Sequence, residues 1–158
     1  GNTDVPMSFP VNGAESAFQL TAAHNSENEF IIDAIGSDAG ALPRNVNIEQ
    51  AMRLVKFGAL EPLEMVLKLS LNPAKMIGLT SKGRLSEGFD ADITIIDPDA
   101  GKASHGIVAG ELIMLSGRVI GRGGTILTTD RGVSAVEATD IAHEVVDITQ
   151  AMMYSGRG

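Results

Sequence analysis

The chain of 158 residues contains no cysteine and no tryptophan, and aromatic residues make up only 4% of it. Without cysteine there is no disulfide framework, no thiolate metal site and no cysteine nucleophile. The few aromatic residues and the 18 glycines indicate a turn-rich structure with a core of aliphatic side chains. A chain without cysteine is compatible with a reducing compartment, and we expect a cytoplasmic protein.

Long apolar runs and an excess of positive charge are also missing. The longest apolar runs are far shorter than the ~20 residues of a membrane helix, and no basic region followed by an apolar stretch opens the chain. The formal net charge of −8 argues against binding to nucleic acid, which depends on clustered lysine and arginine. We therefore expect neither a membrane nor a nucleic acid as a partner.

Hydrophobic spacing predicts mainly helices in the first half of the chain. Residues 1–29 are rich in turn-forming residues and predict loop with one short helix from Ala14 to Ala22. The apolar run Phe30–Ile35 predicts a strand that is buried on both faces. Between about residue 48 and residue 78, apolar residues recur at helical spacing and predict three successive helices.

Glycines and strand-forming residues dominate the second half. The run Asp92–Asp97 predicts a strand, and Glu111–Leu115 with Arg118–Ile120 predicts a hairpin. From Val136 to Tyr154, apolar residues recur at spacings of four, three and four, which predicts a C-terminal helix. Helices followed by strands indicate an α+β fold.

A continuous series of short motifs runs from residue 72 to residue 97. It reads Asn-Pro-Ala-Lys at 72–75, Lys-Gly-Arg-Leu at 82–85 and Glu-Gly-Phe-Asp-Ala-Asp-Ile at 87–93, followed by a hydrophobic run. The glycines permit tight turns, and Asp90 and Asp92 are suited to accept hydrogen bonds from nearby backbone N–H groups. The alternative is that both carboxylates bind a metal, but this spacing in a turn before a strand favours a structural role.

The order and spacing of these motifs resemble the amidohydrolase superfamily of metal-dependent hydrolases. The resemblance implies that residues 1–70 form the last β/α unit of a TIM-type (β/α)8 barrel and that residues 71–158 form a composite β-sandwich domain with a terminal helix. It also implies that the matching motif residues do no chemistry. Because Gly1 stands where methionine would start a chain, we expect the C-terminal portion of a longer hydrolase, inactive by itself.

The catalytic candidate is Asp38, which follows the predicted strand in the segment Gly36–Gly40. Active sites of such barrels lie where strands end and loops begin, and the resemblance implies that Asp38 binds one metal and shuttles a proton. A divalent metal lowers the pKa of its bound water, and a neighbouring carboxylate moves the proton to the leaving nitrogen. An ordinary turn is the alternative for this segment.

Two further residues are candidates for substrate binding. Arg44 follows Asp38 in the same loop and can recognise a carboxylate or carbonyl with its planar guanidinium, although a solvated loop arginine remains the alternative. His24 precedes the predicted strand and is expected to face substrate. His105 and His143 are expected to be structural or surface residues, and the His-x-His pair that the superfamily uses as metal ligands is missing from this sequence.

The resemblance implies a parent enzyme that uses a divalent metal, with zinc favoured, to hydrolyse a C–N bond of a small, cyclic amide. We expect that this chain by itself can lack the metal. A deaminase-type member of the same superfamily is an alternative. A second alternative is a non-catalytic β-rich module that self-associates through orphaned apolar surfaces, and a homo-oligomer is expected. A third is a small hydrolase that combines Asp38 and His24 with residues of another chain.

Overall fold

A computed structural model describes residues 14–37, 46–121 and 124–155. The chain divides into two units, Gly1–Ile32 and Asp33–Gly158. Both helices and strands are present, in agreement with the predicted mixture of the two. Among the described residues, none of the helices combines the length and the apolar composition needed to cross a bilayer.

The described part of the first unit consists of one helix and a closed turn. Helix α1 spans Ala14–Ala22, as predicted. The turn that follows is held by Asn25, whose side-chain oxygen accepts the N–H groups of Glu27 and Glu29, each at 2.9 Å. An isolated antiparallel bridge between His24 and Phe30 closes the turn.

The second unit begins with a helical region that confirms the predicted helices. Helix α2 spans Asn47–Lys56 and α3 spans Pro62–Val66. A π-helical turn, Leu67–Leu71, continues α3 into α4, which spans Asn72–Ile77. The second and third predicted helices are therefore one continuous element with a wider turn in its middle.

The predicted strand Phe30–Ile35 is wrong. Phe30 forms an isolated bridge with His24, and residues 31–37 have no regular secondary structure. A strand that is buried on both faces needs neighbouring strands, and no other described strand pairs with this segment. The segment contacts the helical region instead, through the backbone of Ile35.

A four-stranded antiparallel sheet follows, with its strands in sequential order. The strands β1 to β4 span Ile93–Asp97, Lys102–Val108, Glu111–Leu115 and Arg118–Val119. The predicted strand near residues 92–97 and the predicted hairpin are thus confirmed. Ile96 of β1 packs against a small core formed by Ala51, Met52 and Met65, which joins the sheet to α2 and α3.

The last part of the chain is a small two-stranded sheet with short helices, not one helix. Strand β5 (Ile126–Thr128) pairs in parallel with β6 (His143–Val145), and α5 (Val133–Glu137) connects them. A final short helix, α6, spans Met152–Ser155. The predicted single helix over Val136–Tyr154 is therefore wrong: residues 138–151 contain turns, strand β6 and a short 3-10 turn, and only the two ends of the range are α-helical.

The reason lies in tertiary pairing. Asp140 has a positive φ of 55°, which ends any helix that reaches it. His143, Glu144 and Val145 then pair with β5. Strand formation depends on such partners, which override a local helical spacing.

Gly83 of the second motif lies against the helical region. A Cβ atom there would lie 2.9 Å from the Cα of Leu71 and 3.0 Å from the carbonyl oxygen of Ser70. The hydroxyl of Ser70 in turn donates to the carbonyl of Gly83 at 3.0 Å. The close approach needs a residue without a side chain.

We predict that Gly83→Ala lowers the free energy of unfolding more than Gly88→Ala. Both glycines have positive φ, 93° and 80°, so both variants carry the strain of about 1–2 kcal/mol of a left-handed alanine. At Gly88 the new Cβ meets no described atom within 4 Å. At Gly83 it collides with backbone, which adds about 1–3 kcal/mol. Urea unfolding measures both variants, and equal losses would contradict the proposed close packing.

Candidate functional site

Two of the three predicted site residues, Asp38 and Arg44, lie outside the described residues. Their roles therefore stay predictions. The structure describes the segment that leads to Asp38, residues 33–37, and the helical region against which this segment lies.

Two hydrogen bonds attach the segment before Asp38 to the helical region. The backbone N–H of Ile35 donates to the carbonyl oxygen of Lys68 at 3.0 Å. The side-chain amide of Asn72 donates to the carbonyl oxygen of Asp33 at 2.8 Å and is partly buried. Backbone groups two residues apart are thus bound by one stretch of helix, which restricts the path of the chain towards Asp38.

Lys68 is the one lysine among the described residues whose side chain is buried, with 2% of its surface exposed. Desolvation by burial lowers the pKa of its ammonium, while the negative charges of Asp33 and Glu64 oppose this effect. Asp33 therefore interacts with the helical region in two ways. Its charge acts on Lys68, and its carbonyl oxygen accepts the side-chain amide of Asn72. Nothing in the spacing of Lys68 within the helix indicates this burial, so it was not a predicted site residue.

His24 belongs to the first unit. Its imidazole is exposed, and its ring centroid lies 4.1 Å from that of Phe30, with the two planes at 37°. The ring contact and the backbone bridge between the same two residues fix the orientation of the imidazole. Its predicted role in substrate binding stays a prediction.

The motif carboxylates Asp90 and Asp92 surround a lysine. The ammonium of Lys82 lies 2.7 Å from Asp90 and 2.8 Å from Asp92. Asp92 also accepts the backbone N–H of Ala109 at 2.8 Å, and Asp90 accepts the hydroxyl of Ser81 at 3.1 Å. The ammonium occupies the position between the two carboxylates that a metal would need, and this geometry favours the structural role.

The charges of this cluster shift one another's proton affinities. Hydrogen bonds from Lys82 and Ser81 lower the pKa of Asp90. Partial burial alone would raise the pKa of Asp92, but hydrogen bonds from Lys82 and Ala109, together with the charge of Lys82, outweigh it and lower the pKa. Hydrogen bonds to Asp90 and Asp92 raise the pKa of Lys82. All three groups are therefore charged near neutral pH.

The remaining histidines lie in strands. His105 is in β2, with its Nδ1 atom 3.0 Å from the hydroxyl of Ser104, and His143 is in β6 rather than in a helix. Within the described ranges, no group of three histidine, aspartate or glutamate side chains is placed to hold a metal ion.

Comparison with known proteins identifies the family. The model of the amidohydrolase family matches residues 14–129, more than half of the chain. The chain therefore belongs to the amidohydrolase family. The matched range includes the segment before Asp38, the helical region and the four-stranded sheet.

Individual relatives share shorter stretches. A dihydroorotase from Pelotomaculum thermopropionicum is 59% identical over 46 residues, 29% of this chain and 10% of that protein. An imidazolonepropionase from Thermoplasma volcanium is 43% identical over 67 residues, 41% of this chain and 17% of that protein. A solved D-hydantoinase structure aligns with a TM-score of 0.44 and 21% identity over 60% of this chain and 25% of its own. The chain spans about a tenth to a quarter of the length of these proteins.

We predict that Asp92→Asn lowers the free energy of unfolding at pH 7. Hydrogen bonds to charged groups contribute about 1.5–3 kcal/mol. Because Asp92 is partly exposed, we expect a loss of about 1–2 kcal/mol. The asparagine oxygen still accepts the N–H of Ala109, but Lys82 loses one of its charged partners. Asp90→Asn is the matched comparison and should cost less, because Asp90 is more exposed than Asp92.

The pH dependence of this difference is also predicted. Because the pKa of Asp92 is lower in the folded state than the unfolded value of about 3.9, its contribution is complete above that value and is lost as the pH falls through the folded pKa. Urea unfolding from pH 7 downwards should show wild type and Asp92→Asn converging below about pH 4. A difference that grows on acidification would contradict the assignment.

Proposed function

We propose that this chain is the C-terminal part of a metal-dependent hydrolase that cleaves a C–N bond in a small cyclic amide. The observation that carries the proposal is the family match over residues 14–129. The names of its relatives, dihydroorotase and imidazolonepropionase, favour a ring-shaped amide substrate. Since the chain spans a quarter of these relatives or less, we propose that residues outside it complete the active site and that it is inactive alone.

In this proposal, residues 1–70 belong to the last β/α unit of a catalytic barrel, and residues 71–158 belong to the sandwich domain beside it. Support comes from the order of elements: the helical region ends at Ile77, and the four-stranded sheet begins at Ile93. The two hydrogen bonds to Asp33 and Ile35 come from the helical region. Lys68 lies on the barrel side of the proposed division and Asn72 just beyond it, so the segment before Asp38 is attached to residues on both sides of the division.

Asp38 is the proposed catalytic carboxylate and metal ligand. A divalent metal, with zinc favoured, would make the attacking water more acidic when bound. Asp38 would accept the proton of this water and return it to the leaving nitrogen, so that the amide nitrogen departs as a neutral amine. A carboxylate is suited to both transfers because its pKa can be raised towards neutrality by its surroundings.

Arg44 and His24 are the proposed substrate-binding residues. The guanidinium of Arg44 would pair with a carboxylate or carbonyl of the substrate through two parallel hydrogen bonds. His24 offers an exposed imidazole whose ring is held against Phe30. For each residue the proposed role is substrate binding, without a part in proton transfer.

We predict that Asp38→Asn reduces hydrolysis of the cyclic amide by about 10²–10⁴-fold, because an amide cannot accept and return the proton. The assay uses the complete polypeptide encoded by the gene, with a panel of small cyclic amides and the metal content determined for each preparation. Asp130→Asn is the control, since it makes the same chemical change at an exposed residue far along the chain. Unchanged activity of Asp38→Asn at full metal content would refute the role of Asp38.

A second candidate function, a self-associating module, is favoured by exposed apolar surface. Five large apolar side chains among the described residues are more than two-thirds exposed, namely Phe57, Leu63, Leu85, Val119 and Tyr154. Burial of apolar surface between copies would stabilise a homo-oligomer. This association is compatible with the enzymatic proposal and does not depend on Asp38.

We predict that light scattering of the purified chain gives the mass of a dimer or larger assembly. The double variant Phe57→Ser, Leu63→Ser should shift the mass towards the monomer, because it removes apolar area from neighbouring ends of α2 and α3. A monodisperse monomer of the wild-type chain at micromolar concentration would rule out the self-associating module.

A further inference from the structure

We infer that Asn72 is a positioning residue for Asp38: its side-chain amide, together with the π turn before it, fixes the path of residues 33–35 into the catalytic segment. The inference rests on the proposed function of Asp38. It gives a residue of the Asn-Pro-Ala motif a role in placing Asp38, although the family resemblance implies that the motif residues themselves do no chemistry.

Two hydrogen bonds hold residues 33–35 against the helical region. The amide of Asn72 holds the carbonyl of Asp33 at 2.8 Å, and the carbonyl of Lys68 holds the N–H of Ile35 at 3.0 Å. The bonds bracket Ala34, so they fix both the position and the direction of the chain there.

The π turn leaves the carbonyl of Lys68 without its usual helical donor. In a regular α-helix it would accept the N–H of Asn72, four residues on. That N–H instead donates to the carbonyl of Leu67, five residues back, as part of the π turn. The next residue, Pro73, brings no N–H at all. The Lys68 carbonyl consequently accepts the N–H of Ile35.

The Asn-Pro pair therefore contributes to this anchoring in two ways. Asn72 supplies a side-chain donor, and Pro73 withholds a backbone donor that would compete for a helical carbonyl. Ala74, the next residue, is buried, with 5% of its surface exposed. π turns occur frequently at functional sites because they redirect backbone groups in this way.

Asp38 is close to the anchored residue Ile35 along the chain. Asp38 follows Ile35 by three residues, which corresponds to about 10 Å of extended chain at most. Anchoring at Ile35 thus limits the volume that the Asp38 carboxylate can reach. Misplacement of a catalytic group by about 1 Å can cost about 100-fold in rate. A hydrogen bond at this distance is therefore well placed to control the catalytic geometry.

The experiment is amide-resolved NMR of this chain with the variant Asn72→Asp. The carboxylate has nearly the same shape as the amide but cannot donate to the carbonyl of Asp33. We expect hydrogen exchange at Ile35 to accelerate ~10-fold, the equivalent of one lost hydrogen bond. The backbone signals of Ser37 and Asp38 should shift, while those of the β1–β2 pair should not. Asn47→Asp, the same change at the start of α2, is the matched control and should leave Ile35 unaffected.

A pH series separates positioning from simple stabilisation. A protonated carboxyl at position 72 regains a donor, so the signals of Ser37 and Asp38 in Asn72→Asp should return towards wild type as the pH falls. Asp33, Glu64 and Lys68 carry the charges around this position, and wild type measured over the same range accounts for them. A uniform loss of stability, with no selective change at Ile35, Ser37 and Asp38, overturns the inference.

Pro73→Ala provides a second variant that leaves Asn72 in place. The new N–H can donate to the helical carbonyls, so exchange at Ile35 should accelerate here as well. An Ile35 amide that exchanges at the rate of an unstructured peptide in the wild-type chain also overturns the inference. These readouts need no catalysis, whereas failure of the proposed function would appear as unchanged hydrolysis by Asp38→Asn.

Discussion

The backbone of the π turn and the first turn of α4 is the constraint on which the second unit depends. On one side it binds Asp33 and Ile35, the segment that leads to the proposed catalytic carboxylate. On the other it lies against Gly83, which the hydroxyl of Ser70 binds. A displacement of these few residues would therefore move the segment before Asp38 and the loop before the sheet together, because both are attached to the same stretch of helix.

The motifs by which the family is recognised are largely the residues that make these attachments. Asn72 binds the segment before Asp38, Gly83 permits close packing, and Asp90 and Asp92 bind Lys82. Each is a backbone or charge requirement that few other residue types satisfy. Kinship is thus visible in residues that hold the structure, whereas the proposed chemistry rests on a single aspartate.

The sequence predicted the parts whose causes are local. Proline in the first turn marked the beginnings of α3 and α4, and alternation with glycine-rich turns marked β1 and the β3–β4 hairpin. It failed at residues 30–35 and 143–145, where the outcome depends on which strand is available as a partner. For the site, the hydrogen bonds Asn72–Asp33 and Ile35–Lys68 join residues more than 30 positions apart, which spacing does not reveal. Asp38 and Arg44 remain predictions from resemblance.

Metal-assisted hydrolysis needs several ligands that converge on one point. Under the proposed function, Asp38 can be one of them only if its position is set by rigid neighbours. In this chain the neighbouring element is a helix whose wider turn and proline direct one carbonyl outwards and whose asparagine adds one donor. Both groups bind backbone, so they constrain the segment whatever its side chains are. Under the proposed function, the contribution of this region to catalysis is therefore the placement of Asp38, and the chemistry follows from the ligands that meet it there.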